Sequence, residues 1–239
     1  MSQLNYTTYV TQLANFFPIS SADGNFLTFV PGNIEYAEQR IYRELDLLEV
    51  QQTDATTACS SGNRNFTLPT GVGTFVTVDQ INLITPTGTL SSAGSRYPLN
   101  PVSPEYIDLT WPSNSFSTGQ PKYFGRRNNT LVVLGPSPDS PYYLEVIGVQ
   151  RPVALSSGNS STPLTQYVPD LFMAACLVHA YGYMKDFGGT TDNPQGAISW
   201  ETQFNILMKS ASVEQARAKF HAEGWTSESP SPLATPPRV

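Results

Sequence analysis

The spacing of apolar positions changes twice along the chain. In NYTTYVTQLANFF, residues 5–17, Tyr6, Tyr9, Val10, Leu13 and Phe17 recur at helical intervals, and Pro18 closes the run. In NIEYAEQRIYRELDLLEV, residues 33–50, Ile34, Ala37, Ile41, Leu45 and Leu48 form one stripe. This predicts a second helix with Asn33 as its cap, Glu35 near its positive end, and Arg40 and Glu44 as an i,i+4 pair on the wet face. From about residue 51 to 160 the pattern becomes short and β-branched. Strands are predicted at 66–68, 74–84, 106–109, 122–124, 131–134 and 142–150, separated by Gly, Pro, Asn and Ser. The last two flank a loop with three prolines and read as a β-hairpin. Helical spacing then returns. Residues 168–185 are apolar on nearly every face, with Asp170 in the first turn. A final helix over 195–221 places Ile198, Phe204, Leu207, Ala211 and Phe220 roughly along one side.

The order helix, helix, strands, helix, helix predicts an α+β fold. A helical bundle of about four helices, from 1–50 and 161–223, is interrupted by a β-rich insertion over 51–160, a small sandwich or open barrel. Leu171, Phe172, Ala175, Leu177 and Val178 are the expected core, buried partly within the subunit and partly against a neighbour. Residues 224–239, GWTSESPSPLATPPRV, contain four prolines that exclude a helix and favour an extended arm.

Composition narrows the function. Charged residues make up 13% of the chain, about half the usual share, and the net charge is −6. That balance argues against general nucleic-acid binding, which needs clustered Lys and Arg. It does not exclude a protein that DNA slides past, since an acidic wall repels DNA and keeps it from sticking. Cys59, in a polar loop, and Cys176, in the apolar helix, are expected to be one exposed and one buried thiol without a disulfide. No signal peptide is expected, and no apolar run approaches a membrane span.

Little of the sequence points to catalysis. His179 and His221 with the two cysteines give no zinc spacing. Gly71-Val72-Gly73 precedes a strand rather than a helix, so it presents no helix N-terminus to phosphate. His179 reads as a satisfied core or interface histidine. The carboxylate pairs Glu105/Asp108 and Asp139/Glu145 could serve a glycosidase but read as solvated surface groups. The aromatics Tyr97, Tyr106, Trp111, Phe116 and Tyr123 could line a sugar-binding face, and more simply serve core and contact roles. No catalytic residue, metal or cofactor is expected.

The series EYAEQRIYRELDL (35–47), YPLNPVSPEYIDL (97–109), GQPKYFG (119–125), LVVLGPSPDSPYYLEVIGVQRPVALS (131–156) and PDLFMAACLVHAYGYMKD (169–186) resembles the head-to-tail adaptor, or connector, proteins of short-tailed bacteriophages. The resemblance covers about residues 30–190. It implies a virion protein, assembled in the host cytoplasm, that forms a ring, usually of twelve subunits, under the portal. Such a ring extends the DNA channel, lets the genome pass without specific binding, and carries a downstream tail (nozzle) protein and sometimes fibres. By this resemblance the C-terminal arm would reach the portal. Its expected contacts are Trp225, Pro230, Pro232, Leu233, Pro236, Pro237, Arg238 and Val239, with Leu233 and Val239 as apolar anchors. Candidates for an acidic channel face are Glu35, Glu38, Glu44, Asp46 and Glu49 on the second helix, or Asp186 and Asp192 after the third. The alternative is a carbohydrate-binding or depolymerase tail protein with a β module.

Overall fold

The computed structural model describes residues 4–17, 19–71, 73–114, 117–184 and 194–222. Helix α1, Tyr6–Phe16, starts at Asn5, whose side chain accepts a hydrogen bond from the Thr8 amide. Helix α2, Gly24–Glu44, is longer at its start than the apolar stripe suggests and stops six residues sooner. Asp23 caps it, accepting from the Phe26 amide at 2.9 Å, and Pro31 sits inside it. A proline there removes one backbone bond, but Val30 and Ile34 on either side are fully buried and hold the helix in place. Asn33 is therefore a buried mid-helix residue and not a cap.

A short turn at Leu48–Val50 leads into the strands. These are β1 Gln51–Ala58, β2 Asn65–Thr67, β3 Gly73–Phe75, β4 Gln80–Thr85, β5 Ser95–Pro98, β6 Asn100–Pro101, β7 Thr118–Gly119, β8 Tyr123–Arg126, β9 Leu131–Gly135, β10 Ser137–Pro138 and β11 Tyr143–Pro152. One sheet runs β1-β11-β4-β5, with β3 also paired to β11; a second runs β2-β9-β8-β6; β7 and β10 form a small ribbon. The strand predicted over 74–84 is thus two strands, β3 and β4. The hairpin predicted across the three-proline loop does not form. Strand β9 lies between β2 and β8, and β11 is the centre of the other sheet. Strand β11 is ten residues long and flanked on both edges, so its partners are chosen by long-range burial rather than by the nearest turn. Gly148 in β11 allows that crowding: a Cβ there would meet the Thr77 carbonyl oxygen at 2.2 Å.

Residues 106–109, expected as a strand, belong to helix α3, Pro104–Thr110. The local signal is Ser103 at the cap, accepting from the Tyr106 amide, followed by proline in the first turn. Helices α4, Pro163–Tyr167, α5, Pro169–Met184, and α6, Pro194–Ala222, complete the α+β fold.

Two apolar clusters organise these elements. The first joins α1, α2, α4, α5 and α6 around Leu171, Phe172, Ala175 and Leu177, with Val178 half-buried at its margin. The helices before and after the strands therefore share one core. The second lies between the two larger sheets: Ile81, Leu83, Leu144 and Val146 from one meet Phe66, Phe124, Val132 and Leu134 from the other. Cys59 belongs to this cluster and is buried, contrary to the exposed loop position expected for it. Its Sγ approaches the Ser140 carbonyl at 3.8 Å.

Candidate functional site

Helix α6 spans 29 residues and carries exposed apolar residues, with Thr202 and Lys209 between them, on the side opposite its buried one. Phe204 and Ala211 are buried against the bundle, with Trp200, Leu207 and Met208 packed beside them. At 100° per residue, Ile198, Ile206 and Val213 fall within one stripe roughly opposite that side. All three are at least half exposed. Ile198 was expected on the inner side and is instead exposed, because Trp200 and Phe204 set the inward direction.

The inner side is held by polar contacts as well. Arg40 donates from Nη1 and Nη2 to both carboxylate oxygens of Glu201, at 2.8 and 2.6 Å, and its guanidinium lies 4.0 Å above the Phe204 ring. Arg40 holds the Glu201 carboxyl below its usual range. The Arg40–Glu44 contact is the longer one, at 3.4 Å, so the pair inferred from spacing is secondary to the tertiary one. Gln215 accepts from the Leu48 amide, and Lys219 pairs with Asp46.

Inside the bundle, Asn33 Nδ2 donates to the Tyr9 hydroxyl at 2.9 Å. Its Oδ1 lies 2.9 Å from His179 Nδ1, which therefore donates. The imidazole stacks on Tyr36 and Phe29 with centroids 4.5 and 5.6 Å away. Burial lowers its pKa. These contacts tie α1, α2 and α5 together and leave His179 a packed, hydrogen-bonded side chain.

The acidic candidates separate. Glu35 and Glu44 are exposed on α2. Glu38 is not: it is buried, accepts a hydrogen bond from the Leu155 amide at 3.0 Å, and burial raises its pKa to about 7. It cannot face a channel within this subunit. Its position, four residues after Ile34 and three before Ile41, places it on the apolar stripe, and that spacing was the available signal. Asp46 and Glu49 lie beyond the end of α2, Asp46 exposed and Glu49 half-buried in the following turn. The arm residues Trp225, Pro230, Pro232, Leu233, Pro236, Pro237, Arg238 and Val239, and also Asp186 and Asp192, lie outside the described residues.

On the β side, Tyr106, Trp111 and Tyr123 form an aromatic triangle with centroids 5.7 to 6.5 Å apart. Trp111 packs over Gly135, where a Cβ would strike the indole at 2.8 Å. Arg64 donates to the Trp111 carbonyl, and Asp108 pairs with Arg64 and Arg127. Tyr97 is exposed on β5, and Phe116 lies outside the described residues. Of the other candidate carboxylates, Glu105 is exposed, Asp139 accepts from the Tyr142 hydroxyl, and Glu145 accepts from Arg96 and Asn82. Among the described residues no group of three or more His, Cys, Asp or Glu is placed to hold a metal ion, and no helix is long and apolar enough to cross a membrane.

Comparison with curated proteins found no match. One family, described as SU10 adaptor protein, matches residues 5–231. Over nearly its whole length, then, the chain belongs to the SU10 adaptor protein family, in line with its resemblance to head-to-tail adaptors.

Proposed function

We propose that this adaptor acts as a structural connector, assembling into a ring of about twelve copies between the portal and the tail of a virion. In this reading the ring extends the DNA channel, genomic DNA passes without specific binding, and a tail (nozzle) protein, with or without fibres, attaches below. Assembly takes place in the host cytoplasm. The observation that carries the ring is the outer side of α6. Ile198, Ile206 and Val213 stand exposed on one side of α6, and a neighbouring copy would cover them in a head-to-tail contact that closes on itself. Residues 224–239 act as the arm to the portal, with prolines lowering the ordering cost and many arms acting together through avidity. Exposed Glu35 and Glu44 are the acidic groups on α2 available to a channel face.

The aromatic triangle is the one feature that favours carbohydrate binding. Its rings meet tilted or edge-on and Trp111 is braced on Gly135, so the packing serves α3 better than it serves a flat sugar platform.

The test is electron microscopy and co-sedimentation of the chain with purified portal. The full chain should give a ring on the portal axis, Ile206→Glu should give no closed ring, and a chain ending at residue 223 should fold but fail to co-sediment. Normal portal binding by the truncated chain would move the docking surface to the bundle. A portal-free trimer that retains glycans would favour the carbohydrate reading.

A further inference from the structure

Helix α3 carries an exposed side of mixed chemistry. At 100° per residue Leu109 falls between Glu105 and Tyr106 on that side, away from the buried Ile107. Leu109 is 83% exposed and Tyr106 46%. Glu105 is exposed as well, and among the described residues no cation pairs with it, whereas Asp108 on the same helix is held by Arg64 and Arg127. Next to Tyr106 stand Trp111 and Tyr123, both half-buried. The planes of the three rings meet at 81°, 67° and 34°. No two rings are coplanar, so they present steps between angled faces and not one flat platform.

A free carboxylate, a protruding leucine and angled aromatic rings in one row describe a ligand. Proline rings are rigid and lie well against aromatic side chains, and a polyproline segment is already extended, so docking it orders little chain. The carboxylate asks for an arginine at one end of that segment. The chain itself contains such a segment. In SPSPLATPPRV, residues 229–239, Pro236 and Pro237 are followed directly by Arg238, and Pro230 and Pro232 stand before them. These residues lie outside the described ones, and the distance they can cover follows from their number. Helix α6 ends at Ala222, near Asp46, with which Lys219 pairs. From there residues 223–235 extend up to about 40 Å in polyproline conformation. That reach is comparable to the diameter of a folded chain of this length.

We propose that the exposed side of α3 binds the chain's own proline-rich tail, with Pro236 and Pro237 against Tyr106, Trp111 and Tyr123 and with Arg238 on Glu105. This goes beyond the connector reading, in which the portal takes the tail: before assembly the tail rests on the β module, and the portal has to win it from α3.

The test uses the full-length chain with 5-fluorotryptophan at its three tryptophans, followed by ¹⁹F NMR. Replacing both Pro236→Ser and Pro237→Ser should move the Trp111 signal and leave that of Trp200, in the bundle, where it is. Arg238→Glu should move the Trp111 signal in the same direction, and adding Glu105→Arg should return it to the wild-type position. A Trp111 signal that stays in place in both tail variants, or that Glu105→Arg does not bring back, would overturn the proposal. Should Glu105→Arg disturb the fold, as read from the Trp200 signal, the two tail variants decide alone. No portal or ring takes part in these measurements, so failure here and failure of the connector reading are separately visible.

Discussion

Two buried carboxylates, Glu38 in the bundle and Glu145 on the sheet, are handled in opposite ways. In the bundle, Glu38 is 5% exposed and accepts one backbone hydrogen bond, with no cation beside it; burial raises its pKa to about 7. In the sheet, Glu145 is also 5% exposed but accepts from Arg96 Nε and Asn82 Nδ2, both at 2.9 Å, and the Arg96 contact lowers its pKa. The same residue type at the same burial is pushed toward neutrality in one region and toward charge in the other. Two causes act together: Glu38 is shut in with no cation beside it, so desolvation dominates, whereas the hydrogen bonds from Arg96 outweigh the burial of Glu145. The bundle therefore contains an acid that prefers to be protonated, and the sheet one that prefers to be ionised.

The largest expected effect breaks one core and spares the other. Phe172 is fully buried on α5, its ring 5.4 Å from that of Tyr9. Phe172→Ala should cost about 3–5 kcal/mol. Trp200 reports on the bundle and Trp111 on the sheets, so urea unfolding followed at each separates the two. We expect the Trp200 transition to move by that amount and the Trp111 transition by much less, as expected if the strand region over 51–160 is a unit of its own. Coincident shifts at both tryptophans would show that the cores unfold together and would remove that boundary.

The bundle was the more legible half. Helix periodicity is local, so α1, α5 and α6 and the stripe through Ile34, Ala37 and Ile41 follow from spacing alone. The start of α2 was hidden because Pro31 reads as a stop signal, and tertiary burial of Val30 and Ile34 outweighs it. The sheets were legible in part as strands, with β1 at Gln51–Ala58 and β5 at Ser95–Pro98 missed, and not as partners. Nothing near Leu131 or Tyr143 in the sequence says that β9 pairs with β2 and that β11 pairs with β1 and β4, since those choices depend on residues as far apart as Gln51 and Val149. Helix α3 was misread because Tyr106 to Leu109 has strand-like composition, while its start signal, Ser103-Pro104, lies just outside the run. Of the candidate sites, the apolar positions of α5 were legible. The burial of Glu38 was legible only in its spacing from Ile34 and Ile41, a signal outweighed by the expectation that acids are exposed.

Glu38 sharpens the comparison through pH. Its folded pKa of about 7 lies above the usual 4.5, so between these values the folded chain holds a proton that the unfolded chain releases. Stability should therefore fall as pH rises from 4.5 to about 7 and level off beyond. The full size is roughly 3 kcal/mol at most. Glu38→Gln keeps an acceptor for the Leu155 amide and has nothing to titrate, so the urea midpoint of the variant should lose this slope. A slope that survives in Glu38→Gln would assign it to another group and would return Glu38 to the ordinary acids.

Glu145 should give the smallest effect and the opposite sign. Its folded pKa is lowered, so the stabilisation it provides is present above the usual carboxylate value and is lost as pH falls through the folded one. Arg96 is half in solvent, which screens the pair and keeps its contribution small. Glu145→Gln should lower stability slightly at pH 7 and by less at pH 3, and 1 M salt should shrink the difference at pH 7 because the outer partner is screened. The Asn82 contact can persist in the variant, since the glutamine oxygen still accepts from Nδ2, so the part that vanishes with salt belongs to Arg96. A cost that is equal at both pH values and indifferent to salt would mean that Glu145 acts through packing alone. The contrast with Glu38 would then be one of burial against burial, not of a lone acid against a paired one.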